Sequence, residues 1–182
     1  MKGKDLISEK LIVVSSVTLI CLLSACSLEP QTQASIVSAL PNLEYPIDLT
    51  STGKALLKNG VFEEPSAPGS ASKTAVTLDK LVAEGDLNGD GIKDVATTLI
   101  ATGGGSGTFI YLAAVLNQNG TAKPVATVAI GDRITVKSLG IQSGEILIVL
   151  LTRGPNDPMA TPPTIEATRK YKLQGDKLAE IK

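Results

Sequence analysis

Phe109-Ile110-Tyr111-Leu112-Ala113-Ala114-Val115-Leu116 is apolar at every position. A strand with one face in water alternates apolar and polar residues, so an unbroken apolar run marks a strand covered on both sides. Ile146-Leu147-Ile148-Val149-Leu150-Leu151 repeats the pattern. Both runs are expected inside a sheet, and something must cover them. No stretch nearby has convincing amphipathic helical spacing, so the cover is a second sheet or the same sheet curled on itself. The expected fold is mainly β: an antiparallel sandwich or a curled, barrel-like sheet with few or no helices.

Outward from these two runs, strand-like spacing begins near residue 43 and recurs at 44–49, 54–58, 60–63, 74–84, 94–101, 108–117, 124–130, 134–141, 145–152, 165–174 and 177–181. Asn119-Gly120 between two such runs is a strong two-residue hairpin signal, and Gln142-Ser143-Gly144 and Gly175-Asp176 are weaker ones. Residues 64–73 and 154–164 are rich in Pro, Ser, Gly and Ala or Thr and read as loops. The apolar parity slips from Ile134 and Val136 to Leu139 and Ile141, which predicts a bulge near Ser138 or Gly140.

Composition removes whole classes of chemistry. The 182 residues include no histidine, and the two cysteines, Cys21 and Cys26, both lie near the start. Ser-His-Asp and Cys-His catalysis and the ordinary zinc sites need imidazole or thiolate in the folded domain. Catalysis would have to rest on carboxylates, Ser/Lys, Arg, Tyr or a hard cation. Three tyrosines, two phenylalanines and no tryptophan argue against a carbohydrate-stacking platform. A net charge of −1 nominates no nucleic acid.

The beginning of the chain carries an address. Lys2, Lys4 and Lys10, diluted by Asp5 and Glu9, precede an apolar run over 11–23 that has the length of a signal core and is short for a membrane-spanning helix. Leu23-Ser24-Ala25-Cys26 resembles the lipobox of bacterial lipoproteins. That resemblance implies cleavage before Cys26 and a lipid on it, and so membrane attachment in the bacterial cell envelope, with the leaflet undetermined. The expected organisation is a signal peptide over 1–25, a lipidated cysteine and tether over 26–42, and one β-domain over 43–182. Without the signal, 157 residues remain with a net charge of −2. Ile36, Val37 and Leu40 offer an alternative to a free tether, a short helical turn against the body.

The sharpest local motif is Gly85-Asp86-Leu87-Asn88-Gly89-Asp90-Gly91-Ile92-Lys93-Asp94. Oxygen donors from Asp86, Asn88, Asp90, the Ile92 carbonyl and Asp94, with a glycine at the sixth position, suit calcium in a tight loop. It resembles the D-x-N-x-D-G-x-x-D loops of FG-GAP repeats, although a single copy cannot build a propeller. The alternative is a solvated Asx and Gly turn. Gly103-Gly104-Gly105-Ser106-Gly107-Thr108 reads as a flexible or bulged hairpin, since no helix or lysine follows it as in a P-loop and Ser106 has no evident base. Arg133 follows Asp132, Arg153 opens the proline-rich loop, and Arg169 shares parity with Ile165, Ala167, Tyr171 and Leu173. Arg169 is therefore expected to face inward, paired with Asp132, Asp157 or a loop carbonyl, because a buried guanidinium needs a partner. Such an arginine reads as a tie between loops and sheet, with an anion or carboxylate-ligand site as the alternative.

Taken in order, G-D-L-N-G-D-G-x-x-D from Gly85, G-G-S-G-T-F-x-Y-L-A-A-V from Gly104, G-D-R from Gly131, G-P-x-D-P-M from Gly154 and Pro162-Pro163-Thr164 resemble a family of small secreted or lipid-anchored bacterial β-domain proteins. The likeness covers residues 42–182, including Asn59-Gly60-Val61-Phe62-Glu63, and implies one exported β-domain but brings no active site to carry over. The reading that follows is a non-enzymatic, lipid-anchored domain that binds an envelope protein or component, with calcium as a stabiliser. Two alternatives stand beside it. One is an envelope hydrolase or small-ligand-binding protein that gathers Ser106, Asp132, Arg133, Arg153, Asp157 and Arg169 near the glycine loop. The other is an inhibitor-like module that uses the proline-rich loop as a wedge.

Overall fold

A computed structural model describes residues 35–182. The signal and lipobox, Cys26 included, lie outside them. Eleven strands follow a short 3-10 helix, Val37–Asn42. They are β1 (Glu44–Pro46), β2 (Lys54–Leu56), β3 (Val61–Pro65), β4 (Lys73–Gly85), β5 (Asp94–Gly103), β6 (Phe109–Gln118), β7 (Thr121–Asp132), β8 (Thr135–Gln142), β9 (Glu145–Thr152), β10 (Ile165–Gln174) and β11 (Lys177–Ile181).

Two antiparallel meanders dominate: β3-β4-β5-β6-β7, and β11-β10-β9-β8, with β1-β2 as a separate small hairpin. They form a mainly β, antiparallel fold with a curled, half-barrel sheet. β8 lies against β4, and β11 against β7. One core fills the space between the two meanders, with Ala96, Ile110, Leu112 and Ala114 on one side and Ile146, Ile148, Leu150 and Tyr171 on the other.

The opposite face of β5 and β6 carries Val95, Leu99, Tyr111, Ala113 and Val115, which form a second core with Ile36, Leu40, Tyr45, Ile47, Ala55 and Leu57. Thus β6 is covered on both sides, as its unbroken apolar run requires. One cover is the second sheet. The other is the N-terminal layer of 3-10 helix and β1-β2 hairpin, so of the two readings of residues 36–42 the structure has the helical turn. The Tyr45 hydroxyl donates to the Leu40 carbonyl (3.0 Å), which ties that helix to β1 inside the layer.

The expectation for β9 needs correction. Ile146, Ile148 and Leu150 are buried, whereas Leu147, Val149 and Leu151 alternate with them as half-exposed residues. No layer lies over that face among the described residues. Its apolar side chains stand in cross-strand register with Glu166, Thr168 and Lys170 of β10, and long stems of that kind shelter apolar surface from water. The parity slip in β8 is a register shift between Val136 and Ser138. A further shift in β4, between Leu78 and Val82, was not legible. It is braced from β5, where the Thr97 hydroxyl donates to the Leu81 carbonyl (2.9 Å) and the Thr98 hydroxyl to Asp79 (2.8 Å).

Hairpin chemistry sets the register. Asn119-Gly120 and Ser143-Gly144 both place two successive residues at positive φ (53° and 89°, 52° and 76°), the backbone of a type I′ turn whose twist matches that of paired strands.

Candidate functional site

The motifs of the sequence fall at two ends of the strands. The first end holds the turn between β4 and β5, together with the β8-β9 and β10-β11 hairpins. The second holds the glycine loop between β5 and β6, the corner where β7 turns into β8, and the proline-rich loop between β9 and β10.

At the first end the carboxylates close on the chain itself. Asp86 accepts from the backbone N–H of Asn88 (3.2 Å), Gly89 (2.7 Å) and Gly91 (2.9 Å). Those bonds, Gly91 and Gly89 foremost, hold its carboxyl below the ordinary value. Asp90 accepts from the Ile92 N–H (2.7 Å) and the Asn88 side-chain amide (2.9 Å). Asp94 is fully buried, and its two oxygens accept the N–H of Leu87 and of Asn117 in β6 (both 2.9 Å). Burial raises the Asp94 carboxyl despite those two bonds. The donor set is all oxygen, which suits a hard cation. Among the described residues, however, no three acidic side chains converge as a metal-binding group. A cation at Asp86, Asn88, Asp90, the Ile92 carbonyl and Asp94 would have to share the four side chains' oxygens with N–H groups that they already accept.

At the second end Asp132, Arg133 and Arg153 come together. Asp132 accepts the Thr108 N–H (2.8 Å), which fastens the end of the glycine loop to β7. The Arg133 guanidinium meets the same carboxylate (2.8 Å) and is the main cause of its lowered pKa. Arg153 donates to the backbone carbonyls of Asp132 (3.0 Å), Arg133 (3.3 Å) and Thr161 (3.4 Å), which pins the corner to the proline-rich loop. Arg133 itself has φ +51°, a left-handed backbone that costs a non-glycine residue about 1 kcal/mol or more. The corner is therefore a strained turn held by two arginines and one aspartate.

Not every nominated residue joins it. Ser106 is exposed and takes no part in this network. Asp157 caps its own loop through the Gly154 N–H (2.8 Å), because a four-residue turn satisfies it locally. Arg169 lies on the inward face of β10, as its parity requires, and donates to the Ile130 carbonyl of β7 (2.8 Å) with Glu180 at 3.9 Å. Its side chain is 30% exposed, because it sits where β7 and β11 meet at the edge of the sandwich. The glycine loop packs rather than cradles: a Cβ on Gly104 would stand 2.5 Å from the Ser66 hydroxyl.

One long-range pairing had no signal in sequence order. Tyr111, on the N-terminal face of β6, donates to Asp48 across 63 residues (2.5 Å). Burial first, and then this acceptor, raise the phenol above its ordinary range.

No protein-family model matches this chain, and neither a curated protein nor a solved structure does.

Proposed function

We propose that the chain is a lipid-anchored protein of the bacterial cell envelope, attached through Cys26, whose β-domain binds a partner and does no chemistry of its own. Calcium at the 86–94 turn is part of the same proposal, as a stabiliser. The reading is supported above all by the fate of the corner residues. Of the charged groups expected beside the glycine loop, Asp132, Arg133 and Arg153 do come together there, and each spends hydrogen bonds on the fold. A working acid or base is held for a substrate, whereas these hold β7, β8 and two loops together. The expected partner is an envelope protein or component, with no nucleic acid.

A second reading keeps some support from one observation. The strained backbone of Arg133 is of the kind that accumulates at ligand sites, which favours a small-ligand site at the corner.

The test of the main reading is attachment. In cells fed a labelled fatty acid, the full-length protein is expected to take up label and sediment with membranes, and Cys26→Ala to lose both. Labelling that persists in Cys26→Ala would overturn the anchor.

A further inference from the structure

At the first end of the sandwich a cleft of about 460 Å³ opens between the tips of the β4-β5, β8-β9 and β10-β11 turns. We infer that this cleft binds a small amphipathic carboxylate, an alkyl or aryl body carrying one anionic group. The inference rests on the reading of the domain as a binder and supplies its ligand class.

The floor is apolar. Leu87, Leu116 and Leu173 line it, and all three belong to the core between the two sheets, so the cleft exposes that core at its end. A volume in this range takes a small organic molecule, and a leucine floor favours one with a hydrocarbon body. The rim carries the charge: Lys172 is exposed and is the one charged side chain among the residues that line the cleft. Glu145 stands directly across the ladder from Lys172, yet it pairs with Lys170 (3.8 Å). Among the described residues Lys172 makes no ion pair, which leaves its ammonium for solvent or ligand. The Asp86 and Asp90 carboxylates lie in the adjoining turn, bonded to its N–H groups, so the ligand's anionic end has to sit at Lys172 and away from them.

The rim is also preorganised. Ser143 and Gly144 are fixed by the type I′ turn, and Gly89 (φ +83°) and Gly175 (φ +62°) take left-handed turn positions with nothing within 4 Å of where a Cβ would stand. A ligand can therefore approach backbone there. Beside it a second cleft of about 330 Å³ shares Gly89, Ser143 and Gly144 and adds Gly85, Ile141 and the Asp86 carboxylate, so an anionic ligand is confined to the first cleft. Sequence order hides all of this, because the lining comes from turns separated by tens of residues.

The test is a titration of the full-length, isotope-labelled protein with sodium octanoate, followed by amide chemical shifts, with octan-1-ol as the uncharged control. The expected result is a set of shifts confined to Leu87, Gly89, Leu116, Gly144, Leu173 and their neighbours, saturating with octanoate and weaker with octanol. Lys172→Glu should weaken octanoate about fivefold or more, and Lys172→Arg should preserve it. Lys172 is exposed, so neither change threatens folding. Shifts elsewhere, no saturable shifts, equal affinity for octanol, or an unchanged affinity in Lys172→Glu would each overturn the inference. Such a failure would leave the membrane-attachment assay unaffected, so the two claims fall separately.

Discussion

The two ends of the sandwich use their charges in opposite ways. At the β4-β5 turn, carboxylates satisfy backbone N–H groups over a few residues and leave a cleft beside them. At the β7-β8 corner, the Arg153 guanidinium satisfies carbonyls some 20 residues away while Arg133 holds the adjacent Asp132 carboxylate, and the loops are left clamped. The first arrangement stabilises a turn whose rim stays open. The second brings the glycine loop, the corner and the proline-rich loop into one body. Charge density alone does not mark a working site; what matters is whether the charged groups are already used.

The largest effect expected at either end comes from Asp94. Asp94→Ala leaves the buried N–H groups of Leu87 and Asn117 without acceptors, and should cost about 3 kcal/mol in urea unfolding. A loss near zero would mean that the turn end is not held as described. Calcium sharpens the same end. If the 86–94 turn takes the cation as proposed, calcium at about 100 times its dissociation constant should add about 2.7 kcal/mol to the melt, and Asp90→Ala should abolish the gain. No shift would reduce the motif to a polar turn.

Smaller effects test the corner. Arg133→Val should cost about 2 kcal/mol more than Arg133→Gly, because both lose the Asp132 contact but only glycine accepts φ +51° without strain. Equal losses would show that the corner relaxes. Acid titration then separates Asp132 from Asp94 by sign. Asp132 is expected to titrate below 3.8, so its stabilisation is present above that pH and is lost as pH falls through its lower folded value. Asp94 is expected above 3.8, so acidification through that raised value favours the folded state instead. Carboxyl shifts measured by NMR would contradict this if the two midpoints came in the reverse order.

Much of the fold was legible because strands announce their burial. The run from Phe109 to Leu116 required cover on both faces, and the parity slip after Val136 located a bulge within a residue or two. The source of one cover was legible only in part. Ile36 and Leu40 suit a helical turn against the body and Tyr45 a strand over 44–49, but that they cover β5 and β6 depends on a layer that only the tertiary fold creates. Leu147, Val149 and Leu151 misled for the converse reason: apolar residues on an open sheet face survive beside long polar neighbours. At the sites, the residues of the corner were legible from local pattern, since Asp132 and Arg133 are adjacent and Arg153 opens a loop. That an arginine ties loops to the sheet was legible as well; which carbonyls Arg153 reaches was not. The cleft had no local signature at all.

The most direct measurement is the urea unfolding of Arg153→Met beside the unaltered protein. If Arg153 is a clamp on the carbonyls of Asp132, Arg133 and Thr161, the midpoint should fall by the equivalent of about 2 kcal/mol with an unchanged slope. An unchanged or raised midpoint would contradict the account, because a guanidinium that costs nothing to remove is one held in readiness for a ligand.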